Sequence, residues 1–429
     1  MKHVVDEVVL SNGSRGLLIH VPNATVMAYD FEFRAGHDYS LSRELYEAPH
    51  IMEHMVLGAN EKYKNVREFN SLLIQNGAYS NASTDSVSLH YVGECADFEW
   101  DRILELMRLA ITKPLFLQDE FKAEYGNVRE ERTGRLNNNG TILWQLIGQT
   151  SGERLLTEEQ VLATMHNVKL KDIKEHFVRT HTSDNMRFVI AGNLKPERRE
   201  KLIKMLEQWT LPRGERFSLI RDELVGAADP IRVYRKDVDN LIFGLSMQAN
   251  WRLADDEMLA MSALNHILTG VHYSSYIFGR ARSAGLVYSV SSDLARGDGT
   301  TEWCFGGQVS FKNAKKLFSV IIEELNNVIA GNIKVADVEN AKSFMMGKYQ
   351  MSCQTVSSVA SWYAYRYYFD GYIYDYADRP NKIAALEKGT MIKVAEELIG
   401  GKRWAFGGLG NISEDHLKEH HGQFSSLFK

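Results

Sequence analysis

The chain is poor in cysteine and proline, has no excess of basic residues and contains no long apolar run. Its 429 residues include 3 Cys and 7 Pro, and the formal net charge is −5. Cys95, Cys304 and Cys353 are widely spaced and form no C-x-x-C pair, so we expect buried free thiols rather than a disulfide scaffold. Broad nucleic-acid binding usually shows as a basic excess or stripe, which is missing here. We therefore expect no nucleic-acid partner and no membrane segment.

The first residues do not have the pattern of a targeting signal. Asp6 and Glu7 stand where a signal peptide needs an apolar core, and the segment lacks the arginine-rich amphipathic character of an organelle presequence. The sequence therefore predicts a cytoplasmic protein, with a chain from which a leader has already been removed as the alternative.

The two halves of the chain repeat the same order of landmarks. Gly285 follows Gly77 by 285 − 77 = 208 residues, and Gly410 follows Gly192 by 410 − 192 = 218 residues. Such similar offsets favour an internal duplication. Strand-like runs followed by helix-like runs, rather than strict alternation, predict an α+β fold. We expect two homologous domains, each a largely antiparallel β-sheet packed with α-helices.

The boundary between the halves is predicted where Pro212, Gly214 and Gly226 interrupt the periodicity. This gives a first domain at 1–212, a linker at 213–228 and a second domain at 229–429, which are usual domain sizes.

Within the first half, the alternation of Tyr29, Phe31 and Phe33 predicts a half-buried strand. Gly77 is typical of a helix terminator. The helices that we predict in this half lie at about 45–57, 66–75, 98–112 and 119–137.

Residues 50–54 read His-Ile-Met-Glu-His, which is the inverted zincin pattern H-x-x-E-H. Positions i and i+4 of a helix share a face, so His50 and His54 can bind one tetrahedral zinc ion at about 2 Å from each nitrogen. Glu53 points to the same face and is suited to act as a general base on water. For this motif alone, a charged surface helix is the alternative.

A third ligand is needed, and the acidic, helix-prone stretch 121–135 offers Glu124, Glu130 and Glu131. Glu131 lies 131 − 54 = 77 residues after His54, and Glu124 lies 131 − 124 = 7 residues before Glu131. Seven residues make about two helical turns, so Glu124 and Glu131 can face inward together.

The motif followed by this pair of glutamates resembles the insulysin and pitrilysin metallopeptidases. The nearest branch includes the mitochondrial processing peptidases and small bacterial relatives. Further landmarks in the family's order are Asn12-Gly13, Arg34-Ala35-Gly36, Asn76-Gly77, Asn81-Ala82-Ser83-Thr84, Ser183-Asp184-Asn185-Met186 and Gly285-Leu286-Val287-Tyr288-Ser289-Val290. The resemblance therefore extends over effectively the whole chain, and the family's fold is the α+β fold expected above.

The resemblance implies one zinc ion per chain, with His50, His54 and Glu131 as ligands and Glu53 as the catalytic base. It also implies that Glu124 orients a ligand histidine by hydrogen bonding.

Some positions depart from the family pattern. Glu47 stands where glycine is expected, Ile51 replaces a usual phenylalanine, and Pro49 directly precedes the first histidine. None of these changes removes a ligand. In the second half, the segment 261–268 that matches the zinc helix has no second histidine and no acid, so we expect only the first half to bind metal.

The resemblance also implies a substrate site. Asn81 and Ala82 lie at the start of a predicted strand, to which an extended peptide can add itself by main-chain pairing. Related enzymes use an arginine and a tyrosine of the second domain as donors to the developing oxyanion. Tyr288 matches the tyrosine. The usual arginine position holds alanine, so Arg282 is the favoured candidate and Arg280 the alternative.

The sequence thus predicts a zinc-dependent endopeptidase for short or unfolded peptides. The family encloses its substrate between two bowl-shaped halves, and one chain supplies only half of such a chamber, so the resemblance implies a dimer in which Arg282 and Tyr288 act in trans. A homodimer is favoured because one chain carries both sets of residues. The alternatives are a non-catalytic scaffold subunit of the same fold, and a maturation peptidase for one precursor that acts with a homologous partner subunit.

Overall fold

The computed structural model describes residues 1–150, 152–220, 229–297 and 299–428. The strands are β1 (Val4–Val9), β2 (Arg15–His20), β3 (Val26–Arg34), β4 (Tyr79–Thr84), β5 (Ser88–Ala96), β6 (Met186–Gly192), β7 (Ile231–Tyr234), β8 (Asn240–Ala249), β9 (Val287–Arg296), β10 (Thr301–Ser310) and β11 (Trp404–Gly410). The α-helices are α1 (Ala48–Val56), α2 (Val66–Ile74), α3 (Trp100–Thr112), α4 (Gln118–Arg135), α5 (Asn139–Thr150), α6 (Glu158–Thr164), α7 (Leu170–Thr180), α8 (Pro196–Leu206), α9 (Asp255–Thr269), α10 (Phe278–Ser283), α11 (Phe311–Ile329), α12 (Val335–Met351), α13 (Val356–Asp370), α14 (Arg379–Ala384), α15 (Lys388–Gly400) and α16 (Glu414–Phe424).

The strands form two sheets with the same connectivity. The six-stranded sheet has the order β1-β2-β6-β3-β5-β4, and the five-stranded sheet has the order β7-β11-β8-β10-β9. When β1 is set aside, both sheets arrange their strands in the same relative order. Each has a parallel pair in the same place, β2 with β6 and β7 with β11, and the other described pairs are antiparallel. The predicted duplicated α+β fold is therefore confirmed.

The chain forms two compact units, and each unit includes a segment from the other half of the sequence. Unit 1 comprises Met1–Arg135, Glu158–Leu219 and Met351–Tyr376, and unit 2 comprises Leu136–Thr157, Ile220–Gln350 and Ala377–Lys429. Helix α5 thus belongs with the second sheet and α13 with the first. This division differs from the single boundary that the sequence analysis places at 213–228, of which residues 221–228 lie outside the described residues.

Helix α13 explains why β3 is buried more completely than its sequence predicts. Tyr29, Phe31 and Phe33 are buried in the core of unit 1, as their alternation indicates. The opposite face of β3 is also shielded, because α13 packs on β3 and β6. On that face Glu32 is 1% exposed, and the Tyr368 hydroxyl of α13 donates to the main-chain oxygen of Asp30 at 2.9 Å. The covering helix lies more than 300 residues further along the chain, so local periodicity could not reveal it.

In unit 2, a row of glycines receives α5. Gly407 on β11 pairs with Gly244 on β8, which pairs with Gly306 on β10. A Cβ atom at Gly244 would lie 2.6 Å from Ile147 of α5, and one at Gly306 would lie 2.9 Å from Trp144. Glycine at these positions therefore lets the helix approach the sheet backbone closely. The other face of this sheet carries the main core of the unit, built with helices that include α9, α11 and α15.

Local signals account for both ends of α2. The side chain of Asn65 accepts hydrogen bonds from the main-chain N–H groups of Arg67 and Glu68 at the start of α2. Gly77, just beyond the end of that helix, has φ = +84°, a conformation that favours glycine. These signals are why the predicted helix at 66–75 matches the observed Val66–Ile74 closely.

The thiols are free in the described chain. Cys95 and Cys353 are buried, and Cys304 is half-buried. Among the residues that the structure describes, no helix is both long enough and apolar enough to span a lipid bilayer.

Candidate metal centre

Helix α1 carries both histidines of the motif one turn apart. It begins at Ala48, with Pro49 in the first turn, where the missing N–H costs no helical hydrogen bond. The predicted start near residue 45 is too early, because a proline further inside the helix would break it; Arg43–Leu45 form a separate 3₁₀ turn. The apolar side chains of α1 are buried in the core of unit 1, while His50 and His54 face helix α4.

Helix α4 brings a carboxylate to the two imidazoles. Oε2 of Glu131 lies 3.6 Å from Nε2 of His50 and 3.7 Å from Nε2 of His54. One potential ligand atom of each of these three residues lies within 4.8 Å of the others, and no other such group occurs in the part of the chain that the structure describes. Two imidazole nitrogens and one carboxylate oxygen are a donor set typical of catalytic zinc sites, so these residues fit the ion.

The outer nitrogens of both imidazoles are held by carboxylates. Nδ1 of His50 lies 2.6 Å from Oε1 of Glu47, and Nδ1 of His54 lies 3.0 Å from Oε2 of Glu124. An ionised carboxylate can only accept, so each imidazole must donate from Nδ1. The lone pair of each Nε2 is then free to face Glu131 and a metal ion.

The pKa values agree with this arrangement. Burial alone would raise the pKa of Glu47, but the hydrogen bond from His50 and the charge of Arg132 lower that pKa to about 2. The hydrogen bond with His54 lowers the pKa of Glu124. Burial acts to lower the pKa of His54, yet its bond to Glu124 and the surrounding carboxylates raise it above its ordinary value. Glu47 and Glu124 are therefore ionised acceptors at neutral pH.

A buried arginine ties α4 to the start of α1. Arg132 donates from Nε and Nη2 to Glu47 at 2.7 and 2.9 Å, and its Nη1 lies 3.3 and 3.4 Å from the oxygens of Glu158 on α6. Burial acts to lower the pKa of Arg132, but the two carboxylates raise it. Nearby, burial lowers the pKa of His37 to about 4, so that side chain is neutral. The cluster therefore holds two negative charges and one positive charge.

Glu53 is half-buried on α1, between the two histidines. It takes no part in the hydrogen bonds that hold Glu47 and Glu124, and its charge acts on His54 and on Tyr91. A carboxylate that is close to the ligand group and not engaged by it is available to exchange a proton with water.

The predicted peptide-binding strand lies at the edge of its sheet. Strand β4 pairs with β5 on one side and has no strand partner on the other among the described residues. Asn81 is exposed and Ala82 is buried, as expected for successive residues of an edge strand that packs one face on the core. Helix α1 packs against β4, so the open edge runs beside the helix that carries the histidines.

In unit 2, the structure brings Arg282 rather than Arg280 to Tyr288. The guanidinium of Arg282 lies 4.8 Å from the ring centre of Tyr288, and its Nη1 donates to the main-chain oxygen of Tyr288 at 3.3 Å. Arg280 instead pairs with Glu323 and Glu324 at 2.6 and 2.8 Å. Tyr288 is 81% exposed. Arg282 and Tyr288 thus present a guanidinium and a phenol side by side at the surface of their unit.

Sequence analysis did not assign a role to Glu47, Arg132 or Glu158. The signal for Glu47 is its i, i+3 spacing from His50, which places the two side chains on one side of the helix start. Arg132 and Glu158 carry no comparable signal, because their contact depends on how α4 and α6 pack.

The duplicated fold, with a two-histidine and one-carboxylate group on the first unit, defines a two-domain peptidase-like chain of the H-x-x-E-H type. The chain belongs to the insulinase family, peptidase family M16. The family model described as insulinase matches residues 33–143, which include the motif and Glu131. The model described as the peptidase M16 inactive domain matches residues 167–345.

Individual relatives agree with this family. The A-factor-processing enzyme of Saccharomyces cerevisiae is 28% identical over 137 residues, a match that spans 32% of this chain and 13% of that enzyme. A protease from Helicobacter pylori has the same fold, with a TM-score of 0.80 at 18% identity over 95% of this chain and 100% of that one. A peptidase M16 inactive domain from Pseudomonas fluorescens gives a TM-score of 0.82 at 14% identity over 96% and 98%. At these identities the two structures show the fold alone.

Proposed function

We propose that the protein is a zinc-dependent endopeptidase that cleaves short or unfolded peptides. The observation that carries the proposal is the convergence of His50, His54 and Glu131 within 4.8 Å, with the outer nitrogen of each histidine held by a carboxylate. A tetrahedral ion held by these three donors would keep a fourth position for water or substrate. Membership of a peptidase family supports peptide-bond hydrolysis as the reaction class.

Each polar residue of the centre has a distinct task in peptide hydrolysis. Bound zinc would supply a Lewis acid for the scissile carbonyl and lower the pKa of a water molecule. Glu53 takes the proton from the attacking water and returns it to the leaving amine, a role that contributes about 10²–10⁴ in rate. Glu124 keeps His54 in the tautomer that leaves Nε2 unprotonated.

The open edge of β4 supports the choice of substrate. An extended peptide that pairs with Asn81 and Ala82 would add a strand to the sheet beside α1. A segment already paired in a folded protein cannot do this, so short or unfolded chains are favoured. Arg282 and Tyr288 supply donors of the kind that stabilise a developing oxyanion.

The experiment compares zinc content and cleavage of a quenched, unbiased peptide pool for the wild type and Glu53→Gln. The substitution keeps the ligands and removes the base. We expect about one zinc per chain in both proteins, and cleavage by the wild type alone. A wild type that binds zinc but cuts nothing would favour a scaffold subunit or a peptidase that needs a homologous partner; a wild type that binds no zinc would overturn the proposal.

We further propose that the working form is a homodimer in which Arg282 and Tyr288 act on the substrate of the partner chain. A mixture of Glu53→Gln and Tyr288→Phe chains tests this, since each variant alone is expected to be nearly inactive. If the residues act in trans, mixed dimers regain one intact site and activity returns. A mixture as inactive as its components, or a fully active monomer by analytical ultracentrifugation, would contradict the proposal.

A further inference from the structure

Glu47 lies at a position where no general feature of the helix requires an acid. It directly precedes α1, yet its side chain makes no capping hydrogen bond to the start of that helix. Its Oε1 instead lies 2.6 Å from Nδ1 of His50 and 2.7 Å from Nε of Arg132, and its Oε2 lies 2.9 Å from Nη2 of Arg132. The residue is 2% exposed, so these bonds do not compete with bonds to bulk water.

We propose that Glu47 and Arg132 form a positioning pair for the metal centre, an inference that rests on the proposed zinc-dependent function. Glu47 holds the Nδ1–H of His50, which fixes the tautomer and the plane of the ring and aims Nε2 at Glu131. Arg132 in turn holds Glu47. Because it follows Glu131 directly on α4, it also fixes the helix that supplies the third ligand.

The charge of the surrounding cluster supports this role. Glu47 and Glu158 carry two negative charges against the single positive charge of Arg132, and His37 is neutral. Of these charges, that of Glu47 reaches His50 directly, on the side of the ring away from the ligand group. Through the Nδ1–H hydrogen bond, this carboxylate makes the imidazole a stronger donor to a cation.

The burial of the Glu47–Arg132 salt bridge does not by itself show that the pair serves folding alone. Replacing a buried ion pair is often neutral for stability, so burial of Glu47 is weak evidence for a purely structural role. Arg132 also has Glu158 within 3.3 Å as a second carboxylate. Glu158 is as deeply buried as Glu47, at 2% exposed, but contacts no ligand histidine in the structure, which makes it the matched control.

The test measures zinc dissociation constants, by competition with a chromophoric chelator, for the wild type, Glu47→Gln and Glu158→Gln. It also measures the thermal unfolding of each metal-free protein. We expect Glu47→Gln to weaken zinc binding by about 10- to 100-fold, as is typical when a partner of a ligand histidine is lost. Glu158→Gln should change the zinc dissociation constant by less than about 3-fold, even if it lowers the unfolding temperature as much as Glu47→Gln does.

A second measurement guards against a variant that folds poorly. Arg132→Lys keeps the positive charge but loses the bidentate contact with Glu47, so we expect it to lose less zinc affinity than Glu47→Gln does. In the Co²⁺-substituted proteins, Glu47→Gln should shift the visible absorption bands, which report ligand geometry, while Glu158→Gln should not.

The outcomes separate this inference from the proposed function. If the wild type binds no zinc, the proposed function itself fails. If the wild type binds zinc and folded Glu47→Gln binds it with unchanged affinity and unchanged Co²⁺ bands, zinc binding stands and the positioning role is overturned.

Discussion

Unit 1 should become less stable in mildly alkaline solution, because the ion pair between His90 and Asp30 is lost when His90 gives up its proton. Nδ1 of His90 on β5 lies 3.0 Å from Oδ1 of Asp30 on β3, with side chains 22% and 16% exposed. Burial acts to lower the pKa of His90, but the charge and hydrogen bond of Asp30, with further charges from Glu32 and Asp85, raise it to about 9. The ring of Tyr368 on α13 also faces it, at 5.7 Å between centroids.

The sign and size of the effect follow from proton linkage. The pKa of His90 is higher in the folded chain than the ordinary value of 6.5, so its contribution to stability is complete below about pH 6.5 and is lost as pH rises to about 9. Within that window the folded state binds about one more proton than the unfolded state. The free energy of unfolding should therefore fall by about 1.4 kcal/mol per pH unit, to a total of about 3 kcal/mol at most.

Hydrogen exchange with mass spectrometry, performed between pH 6 and 9.5, can follow the opening free energy of β3 and β5 separately from unit 2. His90→Gln removes the titrating group and keeps a polar side chain, so it controls for the pH dependence contributed by every other titratable group. The wild-type free energy should fall across the window relative to that of His90→Gln, and the difference between the two proteins should become constant near pH 9.5. Parallel pH profiles for the two proteins would refute the assignment of this pKa.

Two further predictions concern the candidate centre and its partner residues. Arg282→Ala should lower peptide cleavage by about 10²-fold or more, because an oxyanion donor is lost. Arg280→Ala should cleave as the wild type does, because Arg280 pairs with carboxylates and not with Tyr288. Steady-state kinetics at fixed zinc content would decide, and equal losses in the two variants would contradict the choice of arginine. Zinc at about 100 times its dissociation constant should stabilise unit 1 by about 2.7 kcal/mol. Glu131→Gln should abolish most of this stabilisation by zinc, whereas Glu130→Gln, at an exposed position, should keep it. Differential scanning calorimetry with and without a chelator measures both, and an equal effect of the two substitutions would contradict Glu131 as a ligand.

The sequence predicted the parts of the protein that depend on short-range spacing. His50 and His54 are set one turn apart by helix geometry, and the spacing of Glu124 from Glu131 places both on the side of α4 that faces α1. The start of α1 was predicted too early, near residue 45, whereas the helix begins at Ala48 and holds Pro49 in its first turn. The roles of these residues in catalysis stay predictions.

Features that depend on tertiary packing could not be read from the sequence. Glu47 was interpreted as a departure from a family pattern, because its bond to Arg132 exists only once α1 and α4 are in contact, and its spacing from His50 was given no role. The covering of Glu32 by α13 was hidden for the same reason, since hydrophobic alternation reports one face of a strand and says nothing of what packs on the other. Choosing between Arg280 and Arg282 required knowing where α10 directs each side chain.

The exchange of α5 and α13 between the two units limits how independently the two halves of the chain can diverge. A gene duplication gives two halves that can diverge independently only if each half completes its own fold. Here the glycine row of the second sheet and Trp144 of the first half must remain matched, as must the polar face of β3 and Tyr368 of the second half. Hybrid genes that join the first half of one homologue to the second half of another at the midpoint should therefore pair each sheet with a foreign helix, whereas hybrids cut on both sides of each exchanged segment should preserve the native pairings.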